Sequence, residues 1–220
     1  TKTMSIGKQH ETIKVTINDE DVEQVEEFTY LGGVVTEDGR SSKGIKRRIG
    51  LASAAFGQLP KMWKSDISLK IKIRLYETLV VPVLMYGAEC WTMRKAEEQK
   101  ILVAEMNWLR RILGKTRRDR IRNEVIRKVT SQKETLVDKI RQRRLMWFGH
   151  VHRMENTRLP ARALYGYVEG NRSKGRQRKT WMDNVREDLA NRGLNMRAAI
   201  DKTRDRTEWR RIAKTSSSTQ

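Results

Sequence analysis

Only three prolines interrupt the 220 residues of this chain, and long stretches carry no glycine, so few positions force the backbone out of a helix. The apolar residues after residue 40 recur at steps of three and four, as a one-sided helix requires. Ile45, Ile49, Ala52, Phe56 and Leu59 make one stripe, with Ser41 or Ser42 as its cap and Pro60 as its end. A second helix opens at Ser68, carries Leu75, Tyr76, Leu79 and Val80, and runs into Pro82, whose ring predicts a kink or stop. A longer one from Thr92 shows Leu102, Met106, Leu109 and Leu113, with Gly114 where a left-handed cap is needed. Asn123 predicts the cap of a short helix through Val129. A helix over Glu134 to Phe148 presents Leu136, Ile140 and Trp147 and ends at Gly149. Thr180 caps one bearing Trp181, Val185 and Leu189, stopped near Gly193, and a last amphipathic piece holds Ile200, Trp209 and Ile212.

The first forty residues read differently. Ile13, Val15 and Ile17 alternate with Lys14 and Thr16, Asn18-Asp19 is a turn signal, and Phe28 to Leu31 with Val34-Val35 add strand material around Gly32-Gly33. The fold class is therefore mainly α: a short antiparallel β element over 1–40, a helical bundle over 41–92 and a second, basic helical region over 93–214. A flexible basic loop is expected near 166–179 and a disordered tail over 215–220.

Charge divides the chain more sharply than structure does. The net charge is +2 over residues 1–100 and +18 over the rest, of a total of +20. A field of that sign attracts polyanions, so RNA, DNA or both are the expected partners; a merely solvated helical surface is the bland reading. One cysteine, Cys90, excludes an intramolecular disulfide and fits a reducing nuclear or cytoplasmic compartment. No apolar run is long enough for a membrane span, no signal-peptide core opens the chain, and a start at Thr1 reads as a cut from something longer.

The search for catalytic chemistry is mostly negative. One Cys with His10, His150 and His152 falls short of a zinc ligand set. Cys90 has packed-core neighbours and no activating base near it in sequence. Gly32-Gly33 lacks the Gly-Lys-Ser/Thr of a phosphate-binding loop, and no paired acids stand in a strand–turn–strand setting to hold two Mg²⁺ ions. Asp19, Glu20 and Asp21 read as a solvated turn; Asp183, Glu187 and Asp188 share one helix, and the i, i+4 pair there reads as balancing Arg176, Arg178 and Lys179. Neither catalytic nor metal-ligating residues nor a cofactor are assigned.

Four basic clusters carry the binding argument. They are Lys46-Arg47-Arg48; Arg110-Arg111 with Lys115, Arg117, Arg118, Arg120 and Arg122; Arg141 with Arg143-Arg144; and Arg172 through Lys179, including Arg176 and Arg178. Arginine dominates the later clusters, which suits bidentate phosphate contact. Trp147-Phe148 follow Arg143-Arg144 closely enough to stack on unpaired bases, although aromatics at helical spacing are more often core.

An ordered set of short motifs is also familiar: Phe28-Thr-Tyr-Leu-Gly-Gly, Thr36-Glu-Asp-Gly-Arg40, Ile45-Lys-Arg-Arg-Ile49, Lys72-Ile-Arg-Leu-Tyr76, Pro82-Val-Leu-Met-Tyr-Gly-Ala-Glu-Cys-Trp-Thr92, Trp108-Leu-Arg-Arg-Ile-Leu-Gly114, Arg143-Arg-Leu-Met-Trp-Phe-Gly-His-Val151, Gly175-Arg-Gln-Arg-Lys-Thr-Trp-Met-Asp183 and Asp205-Arg-Thr-Glu-Trp209. In that order they resemble the C-terminal part of the endonuclease/reverse transcriptase polyprotein of LINE-type, non-LTR retrotransposons, particularly RTE-like elements. The resemblance covers about Lys2 to Ile212. It implies that Phe28, Tyr30, Leu31 and Gly32 form the primer-grip hairpin at the end of a palm. It further implies that residues near 41 to 90 form the thumb, with Lys46, Arg47 and Arg48 on the template–primer duplex. The region from about 93 would then hold template RNA or target DNA during target-primed reverse transcription. A helical, basic thumb suits an A-like duplex held by backbone and shape.

The Tyr/Phe-Ala-Asp-Asp palm motif, the fingers and the endonuclease of that family are missing from the sequence, and Mg²⁺ is expected only for the palm. The chain by itself is thus expected to be no enzyme, and palm and fingers of a parent polyprotein are expected partners. Two readings stay open: a noncatalytic binding fragment of such a reverse transcriptase, or a stand-alone, transposon-derived RNA/DNA-binding protein.

Overall fold

The structure is a computed structural model that describes residues 1–6, 14–166 and 178–215. His10, Ile13, most of the expected basic loop including Arg176, and the end of the tail lie outside the described residues.

The opening consists of short strands: β1 (Lys2–Thr3), β2 (Thr16–Ile17), β3 (Glu20–Asp21), β4 (Glu23–Gln24), β5 (Glu27–Tyr30) and β6 (Gly33–Thr36). They pair two by two rather than in one sheet. β2 with β3 and β5 with β6 are antiparallel, whereas β1 lies parallel to β4, a departure from the purely antiparallel element expected. Asn18 and Asp19 form the first hairpin turn with φ of 50° and 63°, the doubly positive geometry whose twist matches a two-residue hairpin. Leu31 and Gly32 repeat it in the second, at 47° and 75°. For Gly32 this costs little, but a leucine there carries a steric penalty of about 1–2 kcal/mol.

The helices follow as α1 (Ser42–Gly57), α2 (Pro60–Lys64), α3 (Leu69–Leu75), a π-turn at Tyr76–Val80, α4 (Val81–Met85), a 3₁₀ turn at Ala88–Cys90, α5 (Lys95–Ile112), α6 (Asn123–Val129), α7 (Leu136–His152), α8 (Leu159–Tyr165), α9 (Trp181–Ala190), α10 (Met196–Thr203) and α11 (Arg206–Lys214). The chain is thus mainly α after its β opening, and among the described residues no helix is long and apolar enough to cross a membrane.

Several boundaries differ from the sequence reading, each for a physical reason. Pro60 does not close α1 but opens α2, where its missing N–H is one that no helix would use. Neither expected serine caps α1 with its side chain. The Ser41 hydroxyl instead accepts the Thr92 amide at 3.0 Å, and the Ser42 hydroxyl donates to Glu97 at 2.8 Å. Pro82 does not stop the chain's helical run: a π-turn takes up one extra residue just before it, so the proline falls in the first turn of α4. The short α6 starts at Asn123 itself, with Arg122 before it as cap. α7 starts later than Glu134, where Thr135 and Asp138 form a reciprocal capping box, and the final amphipathic piece is two helices, capped by Asn195 and Asp205.

Gly149 does not end α7, which continues through it to His152. A Cβ at this position would run into the indole of Trp209, which is 1% exposed and donates its Nε1–H to the Leu145 carbonyl at 2.8 Å. The glycine admits α11 against α7 rather than breaking a helix. Gly114, in contrast, does take the left-handed conformation expected of it after α5, and Gly193 takes it too where the helix was expected to stop.

Two apolar cores result. The larger packs Ile45, Phe56 and Leu84 from the first helices against Leu109 of α5 and Ile140 of α7; Trp63 stacks on Phe56 at 4.6 Å. Packing therefore continues across residue 92, where a boundary between helical regions was expected. The smaller core gathers Leu145 and Phe148 of α7, Val185 and Leu189 of α9, and Trp209 of α11. Thus α7 belongs to both, its first half to one and its second half to the other.

Two predictions follow from these contacts. Glu97 accepts from Arg94 at 2.6 Å, from Ser42 and from the Arg94 amide, and the Arg94 guanidinium, ahead of these other donors, holds its carboxyl at about 2 against an ordinary 4.5. A carboxyl that ionises more readily folded than unfolded stabilises the fold above its unfolded pKa, and that stability fades as pH falls from about 4.5 toward 2. Because Arg94 is half-exposed the full shift is discounted, and urea unfolding between pH 5 and 2 should show the wild type losing on the order of 2 kcal/mol more than E97Q. Gly149→Ala should cost about 2–3 kcal/mol by overpacking against Trp209, read as a lowered melting temperature.

Candidate nucleic-acid interface

The basic residues singled out by sequence fall into three structural groups. The first is internal. Arg144 is 0% exposed and pairs with Asp188 at 2.8 Å. Burial pushes its guanidinium down and the Asp188 carboxyl up, so desolvation opposes both charges, and their mutual attraction is what keeps them ionised. Arg141, partly enclosed, faces Glu98 at 3.1 Å, Asp138 at 3.5 Å and Asp188 at 3.7 Å. These two arginines are corrected from phosphate ligands to bridges between helices, because each is already matched by carboxylates inside the fold. Asp188 accordingly balances α7, whereas Glu187 takes Lys179 at 2.6 Å, as the sequence reading had it.

The second group holds backbone. Arg48 donates to the Gly32 carbonyl at 2.6 Å and lies 4.3 Å from the centre of the Tyr86 ring, so it clamps the β5–β6 turn onto α1. Arg110 donates to the Ile121 carbonyl and to Asn123, closing the loop that follows α5. Arg143 donates to the Met85 carbonyl at 2.8 Å, and Arg178 to that of Asp38 at 3.0 Å. Trp147 is half-buried beside His150, and Phe148 is fully core, so the expected aromatic pair is not a stacking platform on one face.

The third group faces outward. Lys46, Arg47, Arg111, Arg117 and Arg118 are exposed, Arg47 reaching the Gly32 carbonyl only at 3.5 Å. Lys46 and Arg111, far apart in sequence, line one groove of about 610 Å³ between α1 and α5. Lys100 joins them, with Ser53, Gln99 and Asn107 as neutral polar neighbours and Ile49, Val103, Ala104 and Trp108 as the apolar floor. Among the described residues no carboxylate lines it. Arg111 is steadied 5.2 Å above the Phe56 ring. A little beyond Arg111 the chain enters the exposed stretch Lys115 to Arg120, whose turn is made by Asp119 accepting from the Thr116 amide and hydroxyl.

Lys100, Gln99 and Asn107 were missed by a reading that looked for runs of adjacent cations. Helical spacing contains the signal: positions 46, 49 and 53 of α1 and 100, 103, 107 and 111 of α5 each lie on one face at steps of three and four. The hairpin residues Phe28, Tyr30 and Leu31 are exposed, Leu31 at 73%, and Gly32 is fixed through Arg48, so the structure brings the expected hairpin next to the Lys46–Arg48 cluster.

Elsewhere the structure offers little reactive chemistry. Cys90 is exposed rather than packed in a core, and its crowded surroundings together with Glu89 push the thiol up, away from the reactive thiolate. Among the described residues no three His, Cys, Asp or Glu side chains gather to hold a metal ion.

In sequence the chain is similar to an uncharacterized transposon-derived protein of Caenorhabditis elegans, 28% identical over 197 residues that cover 86% of this chain and 70% of that protein. No protein-family profile matches the chain. No solved structure matches it either.

Assignment of Arg144 to the interior has a measurable consequence. Arg144→Met alone should cost about 3 kcal/mol in urea unfolding, because it leaves the buried Asp188 with only the more distant Arg141, and adding Asp188→Leu should restore most of that loss. The double variant should keep the wild-type salt dependence of polyanion binding; a shallower slope would return Arg144 to the phosphate contacts.

Proposed function

We propose that this chain grips nucleic acid by its sugar–phosphate backbone, along the α1–α5 groove and the basic loop after α5, as the noncatalytic thumb and C-terminal part of a non-LTR retrotransposon reverse transcriptase. The observation that carries the reading is the convergence of Lys46, Lys100 and Arg111 on a groove with an apolar floor and no carboxylate among the described residues. Cations on the rim meet phosphates, and the apolar floor meets sugar; neither contact reads sequence, as suits a surface past which a template slides. The similarity to a transposon-derived protein and the ordered motifs support the retrotransposon origin. The β5–β6 hairpin, exposed on the side chains of Phe28, Tyr30 and Leu31, is assigned to the primer end and the palm of the parent polyprotein.

The test is fluorescence anisotropy of the full chain with an RNA–DNA hybrid, a structured RNA and a DNA duplex across a KCl series. Wild type should give a log–log slope near −0.9 per phosphate contacted, with about six contacts or more on duplex DNA. Replacing Lys46 and Arg111 together by Gln should make that slope shallower by about two contacts. An unchanged slope in K46Q/R111Q would remove the groove from the interface, and a wild-type slope near zero would end the nucleic-acid reading altogether.

A further inference from the structure

A second basic site lies in the smaller core's surface, and none of its arginines belongs to a cluster selected from the sequence. His150 and Met146 of α7, Arg153 just beyond it, and Arg206, Trp209 and Arg210 of α11 enclose a pocket of about 280 Å³. Its floor is rigid: the Trp209 indole is buried, seated on Gly149 and hydrogen-bonded to Leu145.

The arrangement of charge around this floor is unfavourable as it stands. Arg206 is the first residue of α11, where the helix dipole disfavours a cation. Arg210 follows at i+4 on the same face, a like-charge spacing that destabilises a helix. Burial, followed by the nearness of Arg206 and Arg210, pushes the Arg153 guanidinium down. Among the described residues no carboxylate pairs with Arg153, Arg206 or Arg210. The acids of the same segment are engaged elsewhere: Asp205 accepts the Thr207 and Glu208 amides, and Glu208 pairs with Lys202 at 2.6 Å. Arg153 is nevertheless held in place, donating one N–H to the Thr203 carbonyl at 2.8 Å.

Three guanidiniums and an imidazole around a fixed indole, without a counter-charge, form a receptor for a small oxyanion. We infer that the Arg153–Arg206–Arg210 pocket binds a phosphoryl group, with the three arginines donating to its oxygens and His150 completing the ring of donors. Guanidinium forks suit phosphate oxygens in both geometry and charge, and an anion there relieves all three repulsive terms at once. The phosphoryl group is a free phosphate, a terminal phosphate of a nucleic acid or a phosphodiester within its backbone; all three present the same oxygens.

Calorimetric titration of the full chain with inorganic phosphate, against sodium chloride at equal ionic strength, tests the site without any nucleic acid, so its failure is separate from failure of the groove. Wild type should bind phosphate; R206Q/R210Q, altered only at outward-facing positions and checked for a melting temperature no lower than that of wild type, should bind at least about tenfold more weakly. K64Q/K70Q, which loses the same charge far from the pocket, should match wild type. A 5′-phosphorylated single strand preferred over its 5′-hydroxyl twin, with the preference lost in R206Q/R210Q, identifies a terminal phosphate. Equal weakening of both strands in that variant identifies the backbone phosphodiester, and weakening of neither strand, while inorganic phosphate binds wild type and is lost from the variant, identifies the free ion. No binding of phosphate beyond the chloride control, or undiminished binding by R206Q/R210Q, overturns the proposal.

Discussion

The carboxylates facing Arg141 and Arg144 decide how the rest of this molecule is held. Both arginines lie midway along α7, where that helix passes from one apolar core to the other, and between them they draw Glu98 of α5 and Asp188 of α9 to the same place. Charges buried this way add little net stability against an apolar alternative, since desolvation consumes most of their attraction. They do impose register. An α5 or α9 slid by one residue would leave a charge in the interior without its partner. The neutral contacts nearby follow the same frame: Asn184 bonds both the amide and the carbonyl of Met93, and the Trp181 indole donates to the Glu89 carbonyl. With α5 fixed, the wall of the groove that carries Lys100 and Arg111 is fixed as well.

Periodicity made most helices legible, because a stripe such as Ile45 to Phe56 has one geometry in which it can be buried. The positions that misled were those whose side chains act at long range. Ser41 and Ser42 look like caps, but residues 51 and 55 further along compete for their hydroxyls. Gly149 looks like a terminator and is a seat for an indole that arrives 60 residues later. Among the cations, local sequence could not separate Arg144 from Arg118. Both stand in basic runs, and only the approach of α9 turns one of them inward.

That separation changes what the positive half of the chain means. A net charge of +18 after residue 100 suggested one continuous basic surface. The fold instead withdraws some arginines into ion pairs, spends others on backbone carbonyls, and sets Arg111 in a groove shared with the first half and Arg153, Arg206 and Arg210 around a small pocket. The two differ in kind. The groove pairs cations with neutral amides and an open apolar floor, as an extended ligand would need. The pocket sets arginines around a rigid ring, which favours one compact charged group.

The π-turn at Tyr76–Val80 also acts on the chain's lineage. One additional residue in a helical turn rotates everything after it by about 100° relative to an unbroken α-helix. Here the rotation brings Leu84 and Met85 under α1, in the core with Tyr76 and Val80. Deleting a single residue within the turn would make a more regular helix, yet it would swing those two side chains off the core and leave Pro82 in a helix interior. The length of this segment therefore constrains the core more than the identity of its exposed residues does.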